Sequence, residues 1–330
     1  MNKLKVAIIG CGKHSYNFHI PSFKRLNSKF TITGLYDKDF KRAELFSKKF
    51  KIKKIYKKLN DLINDKEIDL IDICSPATKH YSQILTAINN QCKNIIVEKP
   101  FVTQIKQFDN LVIKRKKKKL KIICLGQQRY REETKSLKKF LSKNQRKLGS
   151  LFRIEGKAIY KNKIPKQIKN SFTDKNFSGG GPLIDHGSHI IDLIFYLFPN
   201  LIVEKINPYL FKNKIEKKMI YNVEDSAFVN ILFTNNVILN FETSYISPRP
   251  KDDFGLRLYF QRGYITWPDL KCFYFNKERP QKIRFNQKNF ASDNQFLEIY
   301  ELIKKNKNYN LTITRKVIKI IEYCYKNNMV

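Results

Sequence analysis

No apolar run in this chain approaches the roughly 20 residues that a bilayer-spanning helix needs, and charge interrupts the longest candidates. No membrane-spanning helix is expected. The N-terminal "MNKLKVAIIGCG" has a basic start and an apolar stretch. Its apolar part is short, ends in a glycine turn and lacks a small-residue cleavage site, so it reads as a first β-strand and not as a signal peptide. The six cysteines (Cys11, Cys74, Cys92, Cys124, Cys272 and Cys324) form no CxxC pair. They read as reduced, buried hydrophobes of a cytoplasmic protein. Histidine is scarce as well, with only five in the chain and no Cys/His cluster, so no metal site is expected.

Carboxylates are few beside the cations: 29 Asp and Glu against 65 Lys and Arg, a formal charge of +36. Such an excess raises the question of nucleic acid, which favours basic residues gathered on one face or segment. Here lysine is spread from end to end and travels with Asn, Ile, Phe and Tyr, all encoded by A/T-rich codons. Base composition is therefore a sufficient cause, and no specific nucleic-acid or membrane partner is expected. The one dense run, "KRKKKK" from Lys114 to Lys119, falls where a surface helix should end, a place that suits cations.

The chain is long enough for two domains, and its pattern changes partway. "KVAIIG", "FTITGLYD", "DLIDICSP", "NIIVEKP" and "KIICLGQQ" are short apolar strands, and "FKRAELFSKKF" and "HYSQILTAINN" are helices among them. That tempo predicts a doubly wound parallel sheet, a Rossmann domain over residues 1–128. Beyond it "LFRIEGKAIY", "AFVNILF", "VILNFETSYI", "LRLYF" and "KCFYFN" alternate. They predict a C-terminal α+β domain over residues 129–330 with a largely antiparallel open sheet. One helix is inserted near Pro182 to Phe198, and two end the chain, with the last helices free to return to the first domain.

"GCGKHS" follows the first strand and opens a helix, the context of a dinucleotide fingerprint. Gly10 allows the tight turn, Gly12 lets backbone approach a pyrophosphate, and Ser15 stands at the third glycine position as a small packing residue. Lys13 and His14 complete the loop. Asp37 closes the second strand, where a carboxylate accepts hydrogen bonds from ribose hydroxyls and repels a 2′-phosphate. NAD is the expected cofactor. Lys38 offsets part of that repulsion, so NADP stays open.

The stretch "GGGPLIDHGSHIIDLIFYLF" packs Asp185, His186, His189 and Asp192 into an apolar helix. Asp185 and His189, four apart, share one face of an α-helix, where a carboxylate raises the proton affinity of an imidazole. His186 points away from that face and reads as a bystander. Asp192 either supports His189 or caps locally. Arg129, just past the sixth strand, is either a substrate contact or a surface loop arginine.

Taken in order, "GCGKHSYNFHIP", "CSPATKH", "VEKP" and "GGGPLIDHGSHIIDL" resemble the Gfo/Idh/MocA family of NAD(P)-dependent sugar and polyol dehydrogenases, over nearly the whole chain. The resemblance implies a two-domain oxidoreductase that works on a secondary alcohol or ketone of a sugar, sugar derivative or cyclitol. It also implies a homodimer or homotetramer. Some members of the fold are regulators without activity, the alternative reading. By the same resemblance Lys99 contacts the nicotinamide ribose and the reacting hydroxyl, with Glu98 beside it, and His189 exchanges the proton. Asp185 orients His189 and the substrate, and Ser75, Pro76 and His80 line the nicotinamide side. The segment "IPKQIKNSFTDKNFSGGGPLID" resembles a subset of the family, but without the Trp that often follows its Pro. Lys99 at a strand end, together with Asp185 and His189, is thus expected to form a hydride-transfer site between the domains.

Overall fold

The computed structural model describes residues 3–160, 172–213, 221–247, 251–286 and 289–329. The "IPKQIKNS" part of the subset signature lies outside them. Two compact units divide the chain: residues 1–127 with 289–315, and residues 128–288 with 316–330.

In the N-terminal unit six parallel strands lie in the order β3-β2-β1-β4-β5-β6. They are β1 (Leu4–Ile9), β2 (Phe30–Tyr36), β3 (Lys54–Ile55), β4 (Leu70–Ile73), β5 (Asn94–Val97) and β6 (Lys121–Cys124). The helices are α1 (Ile20–Arg25), α2 (Phe40–Phe50), α3 (Leu59–Asn64), α4 (Ala77–Asn89) and α5 (Ile105–Lys117). This is the Rossmann strand order, which leaves a switch point between β1 and β4 where ligands of open α/β sheets bind. The strands read as nearly unbroken apolar runs because helices cover both faces: every residue of β4 is buried, Asp72 included. The basic run closes α5. The Lys118 ammonium donates to the carbonyls of Ile88 and Asn89 that end α4, and Arg115 to those of Ile122 and Tyr309.

A segment from the far end of the sequence completes this unit. Helix α9 (Ala291–Lys304) packs on α1: Arg25 forks onto both oxygens of Asp293, Ser22 Oγ donates to Ser292 Oγ, and Phe296 meets the rings of Phe23 and His19.

The C-terminal unit is built on an eight-stranded sheet, β14-β13-β12-β11-β7-β10-β9-β8. Its strands are β7 (Leu151–Ile159), β8 (Val203–Phe211), β9 (Ser226–Phe233), β10 (Ile238–Ser244), β11 (Asp253–Phe260), β12 (Gly263–Trp267), β13 (Lys271–Tyr274) and β14 (Gln281–Lys282). Every pair is antiparallel except β7 with β10. The strands β8, β12 and the two-residue β14 escape a pattern reading, β8 because "VEKINPYLF" mixes charge and Pro into the alternation. The helices are α6 (Glu132–Leu148), α7 (Lys175–Ser178), α8 (Ser188–Leu197) and most of α10 (Thr312–Lys326). Helix α8 is buried almost all round and lies hard on the sheet, since a Cβ at Gly156 of β7 would come within 2.8 Å of Ile190. On the opposite face the register lines up Phe273, Tyr264, Tyr259, Arg153, Ile238 and Leu232 across six strands. Part of this row is exposed, Ile238 by 45 %.

Candidate active site

The dinucleotide loop is shaped by close packing at one glycine and open space at the next. Gly10 has φ +104°, and a Cβ there would lie 2.7 Å from the backbone of Cys74 and Ser75, so the turn tolerates no side chain. At Gly12 a Cβ would meet nothing within 4 Å. That is the free approach to backbone which a pyrophosphate requires, so the loop fits a dinucleotide. Ser15 is fully buried, and its hydroxyl faces the carbonyls of Gly10 (2.8 Å) and Gly12 (2.9 Å), tying the loop to the helix it opens.

Asp37 stands at the end of β2 with one oxygen accepting from Cys11 N (2.8 Å) and the other from Asp39 N (2.9 Å). Each oxygen keeps further acceptor capacity for a ribose hydroxyl. The Arg42 guanidinium is 3.9 Å away. Ser75 donates to Gln83 Oε1 (2.6 Å), and Pro76 starts α4. His80 does not line a surface. It is buried with Nδ1 on the Pro100 carbonyl (2.8 Å) and Nε2 on that of Ser75 (2.9 Å), and burial lowers its pKa. Any part it has in cofactor binding runs through the two loops it clamps.

The residue that a spacing argument overlooks here is His19. It is buried, with Nδ1 2.8 Å from Asp72 Oδ2 and Nε2 2.8 Å from Glu98 Oε1, and the half-exposed His14 puts Nε2 3.2 Å from the same Glu98 oxygen. Burial pulls the His19 imidazole down, and the Asp72 carboxylate more than reverses this, holding it well above its usual range. Glu98 is pushed up by burial and down further by His14 and then His19, ending well below the usual carboxylate range. Its second oxygen accepts from the Lys99 backbone N–H (3.0 Å), fixing the strand end that presents Lys99. The available signal was Asp72 itself, a carboxylate inside a strand that is otherwise wholly apolar.

In the C-terminal unit the sequence "PLIDHG" forms a π-helical turn over Leu183–Gly187 that runs into α8. Its N-terminal amides are capped from outside. Glu224 accepts from Gly181 N (3.0 Å) and Leu183 N (3.2 Å) and receives the Tyr325 hydroxyl (2.7 Å). A Cβ on Gly181 would lie 2.0 Å from the Glu224 carbonyl oxygen. Gly181 thus serves a close approach to Glu224, and Gly180 one to Tyr325.

The wider π turn alters the α-helical bookkeeping of faces. Tyr245 donates to Asp185 Oδ2 (2.9 Å), and His186 Nε2 sits 3.3 Å from the same oxygen. The His186 ring lies against Tyr160 (centroids 4.1 Å apart) and Tyr245 (5.6 Å). Read as a bystander, His186 is in fact a member of the Asp185 cluster, because neighbours in a π turn are not separated as i, i+4 counting assumes. Burial, and then the Asp185 charge, raise the pKa of both Tyr160 and Tyr245, so both are neutral hydrogen-bond donors. His189 is buried on the first turn of α8. Asp192 holds both arms of the buried Arg129 guanidinium, with Arg129 Nε donating to Oδ2 at 2.7 Å. That contact ties Asp192 of α8 to Arg129.

The fold and the loop together define a dinucleotide-binding Rossmann domain. The family model for the oxidoreductase family with an NAD-binding Rossmann fold matches residues 4–125, and that for the GFO/IDH/MocA C-terminal domain matches 138–266. The chain belongs to the Gfo/Idh/MocA family of NAD-binding oxidoreductases. It is 26% identical over 252 residues to the D-glucoside 3-dehydrogenase of Escherichia coli, covering 73% of this chain and 70% of that one. It is 25% identical over 198 residues to an NADP-dependent scyllo-inositol 2-dehydrogenase of Bacillus subtilis, 60% of this chain and only 52% of the relative. Its fold matches that of levoglucosan dehydrogenase, solved with NADH and levoglucosan, with a TM-score of 0.83 at 16% identity over 98% of this chain and 96% of that one. Among the described residues no helix is long and apolar enough to cross a membrane.

Proposed function

We propose that the protein transfers a hydride between NAD and a secondary alcohol or ketone of a sugar, sugar derivative or cyclitol, with Lys99, Asp185 and His189 as its working groups. The observation that carries this reading is the polar cluster at the head of α8. An otherwise apolar helix begins with Asp185, His186 and His189, served by two neutral phenols, Tyr160 and Tyr245. Such a donor-rich set suits a polyhydroxylated ligand better than a core.

Oxidising an alcohol means taking the hydroxyl proton while hydride leaves the carbon. Bound NAD supplies the nicotinamide carbon that receives it. His189 takes the proton, Asp185 fixes a substrate hydroxyl, and the Lys99 ammonium stabilises the developing alkoxide. Arg129, held rigid by Asp192, is a substrate contact. Gly10, Gly12, Lys13, His14, Ser15, Asp37, Lys38, Ser75, Pro76, Glu98 and Lys99 surround the cofactor. We also propose that the exposed row around Ile238 pairs two or four chains, in the cytoplasm, where unpaired cysteines persist.

A turnover screen of sugars, cyclitols and nucleotide sugars with NAD and NADP in parallel tests the reading, followed by Lys99→Met and His189→Ala. Both variants should lose turnover and keep NAD binding. Full turnover in both sinks the assignment, and NAD and sugar binding without any turnover would instead indicate a ligand sensor.

A further inference from the structure

We propose that His14, His19 and Glu98 form a binding site for a divalent transition metal of the zinc class, with Asp72 as its outer partner. His14 Nε2, His19 Nε2 and Glu98 Oε1 all lie within 4.8 Å of one another, and the carboxylate oxygen is 2.8 Å from one nitrogen and 3.2 Å from the other. Four ligands at zinc bond lengths stand about 3.4 Å apart in a tetrahedron, so side-chain adjustments on the order of an ångström seat an ion. Two imidazoles and one carboxylate leave a fourth position open, and a mixed nitrogen and oxygen set selects zinc, cobalt or nickel over magnesium or calcium.

The second observation is Asp72. Its Oδ2 accepts from His19 Nδ1 at 2.8 Å, which fixes the ring and aims Nε2 at Glu98 Oε1. Its Oδ1 is buried and has no hydrogen-bond partner among the described residues. An ion at Nε2 would take the place of the proton that His19 shares with Glu98, so that a dication meets the Asp72 and Glu98 carboxylates at the end of a parallel sheet. Glu98 is pinned through its other oxygen by the Lys99 N–H, and His14, with 35 % of its side chain exposed, gives an ion its way in. The ion would clasp the helix that follows the dinucleotide loop to the end of β5.

The test uses untagged full-length protein stripped with a chelator and titrated with Co2+ alone. One equivalent per chain should bind with visible ligand-field bands of a four- or five-coordinate nitrogen and oxygen site, and Zn2+ should bleach them. Asp72→Asn should weaken binding by about 10- to 100-fold, and His14→Ala by more. His14 is at the surface, so that variant keeps its fold, to be checked by an unchanged urea transition without metal. Absence of a one-equivalent band overturns the proposal, and so does Co2+ binding that His14→Ala and Glu98→Gln leave intact. In either case a proton on His19 alone bridges the two carboxylates.

Discussion

The two units solve a similar local problem with opposite chemistry. Each carries a π-helical turn running into an α-helix, over Ser15–His19 before α1 and Leu183–Gly187 before α8, and each sets histidines beside a carboxylate there. In the N-terminal unit the imidazole of His19 is buried between two carboxylates, with no phenol among the contacts described above. In the C-terminal unit one carboxylate, Asp185, gathers a phenol and an imidazole and stays partly open. Charges buried on both sides fix a structure and tolerate no loss, whereas neutral donors around one accessible carboxylate suit exchange of a proton or a hydroxyl. The first group should therefore respond to mutation in stability, and the second in turnover.

The largest effect expected is on the second group. His189→Ala should lower kcat/KM by about 100- to 10,000-fold, the range for removing a general acid or base. NAD affinity should barely change, as read by fluorescence titration. Loss of NAD binding with turnover per bound cofactor preserved would reverse the division between the two groups.

Next is Asp72→Ala. Removing one partner of a buried pair leaves the other uncompensated, at a cost of roughly 3–5 kcal/mol. Asp185→Asn, at a partly exposed carboxylate, should cost about 1 kcal/mol or less. Urea unfolding of both variants measures the contrast, and equal losses would show that the two histidine groups are alike.

A smaller, pH-dependent effect belongs to Glu224, which caps the turn before α8. Burial is the largest influence on its carboxyl and raises its pKa, against the opposing hydrogen bonds of Tyr325, Gly181 and Leu183. A folded value above the unfolded one means that its stabilisation is full below the ordinary value of 4.5 and is lost as pH rises through the raised folded value. The stability advantage of the parent over Glu224→Gln should therefore narrow from pH 4.5 toward neutrality. An advantage that widens over that interval contradicts the sign.

How far the sequence discloses this differs between the two groups for a physical reason. Parallel strands covered on both faces read as apolar runs, so β1, β4, β5 and β6 and the loops at their carboxyl ends, Gly10 to Ser15, Ser75 and Glu98, stand out directly. Pairs distant in sequence do not: Asp72 with His19 spans 53 residues and Tyr245 with Asp185 spans 60, and no periodicity encodes either. The standing of His186 was hidden by a different cause, since face counting presumes an α-helix and the chain here takes a π turn. The return of α9 to the N-terminal unit depends on Phe296, Asp293 and Ser292 finding α1, again a long-range match that local pattern cannot show.

The smallest effect expected is the most discriminating for the role of Asp185. Tyr245→Phe keeps the buried ring, so its contacts with His186 and Phe172 persist, and deletes only the hydroxyl that donates to Asp185. A single hydrogen bond to a charged group contributes roughly 1.5–3 kcal/mol, and a carboxylate that keeps some exposure recovers part of this from water. Stability should thus fall by about 1 kcal/mol. The carboxylate, having lost a donor that favours its charged form, becomes easier to protonate, so the acid limb of the kcat/KM profile should move to higher pH. If Asp185 only braces the helix, stability will fall with no movement of that limb. If it holds substrate, the limb will shift while the rate at the pH optimum drops by less than about tenfold.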